Sequence, residues 1–260
     1  MLLFGILNSE ILIPAASDEA ARILSRYTLP LGVKARSADT PFDGAERATF
    51  TLVQAGHRHV FITCFHVLSR LRELQKQDSS AQLVAYAVMK DGWPRGLAEF
   101  NTFHLVDESE LLDVAVFCGL ANTVELPDHD FIDYRSSYLP DPKPGDGVTI
   151  VGYPGANITL TPALADLGYM QIGFIASSVS DRRIALADES GQRRFTDYSV
   201  PPRPKISLGG LSGSPAFVIR DQRTRFVGIV TDADSYDTIF VSRLGCLNPD
   251  GTLDHLRIPG

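Results

Sequence analysis

Three polar side chains sit in settings that suit nucleophilic chemistry. His66 closes the β-rich run Ile62-Thr63-Cys64-Phe65-His66. Asp113 opens an apolar run, Leu112-Asp113-Val114-Ala115-Val116. Ser212 lies in a glycine-rich turn, Gly209-Gly210-Leu211-Ser212-Gly213-Ser214-Pro215. A serine hydroxyl is a weak nucleophile at its free pKa. It needs a base within hydrogen-bond reach, and the base needs an acid to orient it. The oxyanion that forms on attack needs backbone N–H donors, and glycines beside the serine let the chain turn sharply enough to present them. On this reading Ser212 is the nucleophile, His66 the general base and Asp113 the orienting acid. The amides of Gly210 and Ser212 are the oxyanion donors. No metal or cofactor is needed, and His57, His59, His104, His129 and His255 fit no metal-ligand spacing.

The elements that must hold these groups read mostly as strands. Alternating or continuous apolar runs bounded by turn residues fall at 48–54, 59–63, 82–89, 114–118, 148–153, 169–177, 183–187, 216–220, 226–231 and 238–242. Helical spacing occurs twice. At 17–27, Ser17 suits an N-cap and Ala20, Ile23, Leu24 and Tyr27 share a face; 66–76 reads as a short helix. Many short strands without regular intervening helices favour a barrel or sandwich over a parallel sheet. The Pro- and Asp-rich stretch 126–144 divides the chain, and 188–192 reads as a hairpin tip.

Composition narrows the classes. The chain has 260 residues, 44% hydrophobic and 21% charged, with a formal net charge of -7. That is ordinary for a globular protein, and an acidic chain is not drawn to nucleic acid or anionic membrane by long-range charge. Cys64, Cys118 and Cys246 are odd in number, widely spaced and without a CxxC pair. They read as reduced, buried thiols in a cytoplasmic setting, secreted or periplasmic being the lesser alternative. The apolar start lacks a basic n-region and is broken by Asn8, Ser9 and Glu10, so it is too short to span a bilayer. A buried strand or packed arm fits it better than a signal peptide ending near Ala15-Ala16.

The three motifs together resemble the chymotrypsin-like (trypsin-like) serine peptidases, bacterial members in particular. Thr63-Cys64-Phe65-His66-Val67 is similar to T-A-x-H-[CV], with Cys64 in place of alanine. Asp113-Val114-Ala115-Val116 fits D-[IV]-A-[LV]. Gly210-Leu211-Ser212-Gly213-Ser214-Pro215 fits G-[DN]-S-G-[GS]-P except at Leu211. Gly152-Tyr153-Pro154-Gly155 resembles a G-[FY]-P-G turn of the bacterial members. The resemblance implies an all-β fold of two six-stranded antiparallel barrels with the site between them. It implies a helical arm at 1–29, a first barrel at 30–125, a linker at 126–144 and a second barrel with a C-terminal extension at 145–260. It implies a serine endopeptidase acting on a peptide or protein. The alternative is a pseudo-protease that binds a peptide or partner without cleaving, and a third option is a structural subunit that assembles through its arm.

Two departures carry consequences. The usual acid or amide before the serine is Leu211, and the chain has no I-V-G-G-like start. The resemblance then implies no zymogen activation and either narrow specificity or a regulatory protein partner. The turn must be held another way, by packing of Leu211 or by closure on a partner or substrate. In the family the specificity pocket lies near Ile206 and Ser207, with Thr231, Asp232 and Ala233 along its wall. Ile206 would favour an apolar or small side chain; Asp232, Asp234 and Asp237 would favour a basic one.

Overall fold

The computed structural model describes residues 22–34, 47–88, 97–119, 126, 129–154, 158–161, 164–167, 169–187, 209–220, 223–233 and 238–258. The first half is one sheet built from β1 (Thr28–Lys34), β2 (Arg47–Ala55), β3 (Arg58–Thr63), β4 (Gln82–Val88), β5 (Leu97–Phe100), β6 (Phe103–Ser109) and β7 (Val114–Gly119). Its order is β5-β4-β1-β2-β3-β7-β6, antiparallel throughout, and a short β8 (Ile132–Asp133) adds to β2 in parallel. Among the described residues β5 does not pair with β6, so the expected first barrel is a half-barrel. The sheet turns round a core that includes Leu29, Leu31, Phe50, Leu52 and Ile62.

The second half closes fully. β9 (Gly147–Gly152), β12 (Met170–Val179), β13 (Arg183–Ala187), β14 (Pro215–Arg220), β15 (Arg223–Ala233) and β16 (Ile239–Arg243) form an antiparallel six-stranded barrel in the order β12-β13-β16-β15-β14-β9. A separate hairpin joins β10 (Ile158–Thr161) to β11 (Leu164–Leu167). Closure leaves no unpaired edge, and inward residues such as Ile150, Ile172, Ile184 and Leu186 fill the interior. β12 shows the period of two: Met170, Ile172, Phe174 and Ala176 are buried and Gly173 and Ile175 are exposed.

Sequence patterning located ten of these strands but missed β1, β5, β6, β8, β10 and β11. Pro30 and Gly32 interrupt the run of β1, yet its Leu29, Leu31 and Val33 are fully buried between β2 and β4. In β6 the periodicity is blunted because Asp107 points to another segment of the chain. α1 (Phe65–Gln77) covers the helix read at 66–76 and buries Val67, Leu68 and Leu71. In the N-terminal arm, residues 22–25 form a helical turn, and the remainder up to 21 lies outside the described residues.

The stretch between the halves is packed rather than extended. It holds β8 and the single turn α2 (Tyr134–Ser137), whose Asp133 cap accepts from the Arg135 and Ser136 amides. Tyr134 Oη donates to Leu244 O at 2.6 Å. The C-terminal extension returns to the first half, where Leu247 and Leu253 join its core. All three cysteines are free; Cys64 and Cys246 are buried, whereas Cys118 is only half-buried. The hairpin tip at 188–192 lies outside the described residues. Among the described residues no helix is long and apolar enough to cross a membrane.

Candidate active site

His66 stands in the first turn of α1, placed there by the packing of Val67, Leu68 and Leu71 beneath it. Asp113 enters β7 from a tight turn in which its amide donates to Glu110 O at 3.1 Å. Its φ is 54°, the left-handed region, which costs a residue with a Cβ about 1 kcal/mol. Both neighbours over-determine that conformation. Asp113 Oδ2 meets His66 Nδ1 at 2.8 Å, and Oδ1 accepts from the His66 amide at 2.8 Å. One carboxylate therefore fixes both the ring and the backbone of the histidine. From the other half, the Ser242 hydroxyl donates to Leu112 O just before it.

The Ser212 turn is formed by Gly210 and Gly213, at φ 96° and 87°. A Cβ on Gly213 would lie 2.1 Å from Thr49 O, so only glycine fits. Within the turn, the Ser214 amide donates to Leu211 O at 2.8 Å and the Gly213 amide to Val230 O at 2.7 Å. Three further donors come from β2. Thr49 donates through its amide to Ser212 O (2.8 Å) and through Oγ1 to Gly210 O (3.0 Å), and Thr51 Oγ1 donates to Gly213 O (2.6 Å). With its carbonyls held, the turn leaves the Gly210 and Ser212 amides donating to no carbonyl among the described residues.

Leu211 explains how a turn without the usual acid can be anchored. It is 1% exposed and belongs to the core of the second barrel. Gly152 makes room beside it: a Cβ there would lie 3.1 Å from Leu211 Cδ2 and 1.8 Å from Ser214 Oγ. The Gly-Tyr-Pro turn read from sequence is thus a packing partner of the serine turn.

A cleft of about 680 Å³ brings His66, Asp113 and Ser212 onto one surface, with Thr231, Asp232 and Ala233 along its wall. Glu110, Arg183 and Ile239, which sequence reading did not single out, also line it. Ile206, Ser207, Asp234 and Asp237 lie outside the described residues. Cys64 is buried directly behind the site and donates through Sγ to Val230 O at 3.1 Å. Burial first, and the nearby Asp113 charge second, push its thiol well above the usual range, while the Gly213 backbone and the Ser212 side chain pull the other way. It stays protonated and is a poor nucleophile. Thr49, Thr51 and Ser242 thus support the candidate site from outside the motifs, and Cys64, a member of the histidine motif, packs behind it. The signal for two of them was there: Thr49 and Thr51 share one face of an otherwise apolar strand.

A closed barrel and a half-barrel, meeting at a cleft that carries this cluster, define the chymotrypsin-like fold. Among solved structures, Deg5 superposes with a TM-score of 0.53 at 13% identity, covering 89% of this chain and 91% of that one. The Rv3671c protease from M. tuberculosis, in its active form, superposes with a TM-score of 0.50 at 16% identity, covering 94% and 90%. At such identities the likeness concerns the fold alone. No protein-family model matches the sequence, and no curated relative matches it.

Proposed function

We propose that the chain is a serine endopeptidase working through an acyl-enzyme on Ser212. The observation that carries this reading is the two-point grip of Asp113 on His66, 2.8 Å to the ring and 2.8 Å to the amide, in a cleft shared with Ser212. With Nδ1 held by the carboxylate, the Nε2 face of the ring is the one left to take a proton. Ser212 attacks the peptide carbonyl, His66 accepts its proton and then gives it to the leaving amine, and Asp113 stabilises the imidazolium between the two steps. The Gly210 and Ser212 amides receive the oxyanion. Water then repeats the sequence on the acyl-enzyme.

The pocket wall supports an apolar or small side chain at the first subsite. Ile239 is 1% exposed, lines the cleft and pairs in register with Ala233, so β15 and β16 bring an apolar and a small side chain to this wall. Control by narrow specificity or by a protein partner belongs to the same reading, because Leu211 anchors the turn where a zymogen-type acid would stand. The free thiols fit a reducing, cytoplasmic setting.

The test is labelling of Ser212 by a fluorophosphonate probe, expected in the native protein and lost in both Ser212→Ala and His66→Ala. If the native protein stays unlabelled with and without candidate partners, the enzyme reading fails and the fold serves as a binding module. A peptide-library cleavage profile dominated by basic residues at the cleaved position would overturn the subsite reading.

A further inference from the structure

We infer that Cys64, His66 and Asp113 form a binding site for a thiophilic divalent cation such as Zn²⁺, and that its occupancy switches the site off. One ligand atom from each residue lies within 4.8 Å of the other two. Metal–ligand distances of about 2.0–2.3 Å place two ligands of a tetrahedral zinc ~3.2–3.7 Å apart. His66 Nδ1 and Asp113 Oδ2, at 2.8 Å, stand closer than that and must open by under about 1 Å to admit the ion. The sulfur must approach as well, exchanging its bond to Val230 O and its contacts with Ser212 and Gly213 for the metal. Cys64 occupies the N-cap of α1, yet its side chain makes no capping bond. Its sulfur contacts are Val230 O and the Ser212 and Gly213 groups beside it.

The donor set selects the ion. A thiolate, an imidazole and a carboxylate suit zinc or cadmium, whereas magnesium and calcium prefer oxygen alone. The feature is particular to this chain, because the alanine of the motif it resembles offers no ligand. An ion enters from the cleft: the His66 and Asp113 side chains are 40% and 17% exposed, and Cys64 lies behind them. Binding releases the thiol proton to solvent; when Nδ1 is the ligand the ring proton moves to Nε2, so the imidazole stays neutral, and no oxidation state changes. Either ring nitrogen ends catalysis. Through Nδ1 the metal breaks the bond to Asp113; through Nε2 it occupies the position that must accept the Ser212 proton. The switch rests on the proposed roles of His66 and Ser212, whereas the metal site does not.

Two readouts on the full chain separate these claims. Titration with cadmium chloride is expected to raise the ultraviolet sulfur-to-cadmium charge-transfer band, reversed by EDTA. The band should vanish in Cys64→Ala and persist in Cys246→Ala. In parallel, zinc at ~10 times its dissociation constant should slow fluorophosphonate labelling about tenfold, by the occupancy factor 1 + [L]/Kd. In Cys64→Ala, zinc should leave labelling within a factor of ~2 of that variant's own metal-free rate, since occupancy far below Kd changes little. No cadmium band in the native protein, or a band that survives Cys64→Ala, overturns the site. Equal zinc sensitivity in the two proteins overturns the switch. Where Cys64→Ala does not fold, Asp113→Asn takes its place: it keeps the sulfur and should weaken cadmium binding about tenfold or more, and unchanged affinity overturns the site. A protein that never labels but shows the cadmium band fails only the peptidase reading.

Discussion

In the first half of the molecule the site residues hold each other, whereas in the second half the site residue is held from outside. His66 and Asp113 stand 47 residues apart in the chain and are locked by two bonds between themselves, on a half-barrel that among the described residues does not close. Ser212 stands on a closed barrel, but its turn takes three of its bonds from Thr49 and Thr51, more than 160 residues away on β2. The less complete scaffold carries the self-sufficient pair, and the complete barrel carries the dependent turn. A barrel interior fills itself with side chains, but a glycine-rich turn on its rim has carbonyls that the barrel cannot satisfy. Docking of the two halves and assembly of the site are therefore one event.

The sharpest way to break this contrast is at the pair. Asp113→Asn keeps the shape and removes the charge, and probe labelling of Ser212 should fall by about 10⁴-fold, the size expected when an orienting carboxylate is lost. Thermal unfolding should move little by comparison; a large loss of stability with labelling retained would show that Asp113 is structural. Next is the anchor of the turn. Leu211→Ala removes a fully buried side chain from the second barrel and should destabilise by about 2–5 kcal/mol in urea unfolding. A cost under 1 kcal/mol would mean that the threonine bonds alone hold the turn.

Thr51→Val tests the bonds from β2 directly. It leaves Gly213 O buried without its 2.6 Å donor and should cost about 1–3 kcal/mol. Labelling should slow in proportion more than for a core substitution of equal cost, such as Ile184→Val, because only the threonine touches the turn. Equal slowing for both would break the comparison. The smallest effect concerns the C-terminal extension. Burial pushes the Asp107 carboxyl up, but the Leu253 amide, His255 and the Glu108 amide outweigh it and hold it below the usual carboxylate range. A carboxyl depressed in the folded state adds stability above its unfolded value and loses it as pH falls through the folded one. Amides at 253–258 should therefore lose hydrogen-exchange protection, corrected for intrinsic rate, below about pH 4. Asp107→Asn should lose it at every pH; protection that stays level on acidification would show that Asp107 does not hold the extension.

Much of the scaffold was readable along the chain. β13 runs Arg183–Ala187, the stretch its apolar pattern indicated, and β2, β3, β7 and α1 fall within a residue or two of their patterns. β1 was not readable, because Pro30 and Gly32 oppose a strand locally and only its burial between two neighbours outweighs them. The path of the C-terminal extension was not readable either. Leu247 and Leu253 look like any apolar residues beyond the last strand, and nothing nearby says that their partners are in the first half.

The identity of the candidate reactive groups, their order, the strand periods and the glycines that permit the serine turn are local properties. They follow from side-chain chemistry and backbone sterics, which neighbouring residues settle. The left-handed Asp113, the threonines behind Ser212 and the sulfur behind His66 came only with the folded structure. Each depends on register and packing between segments far apart in the chain, and such contacts exist only after both halves have paid the entropy of closure.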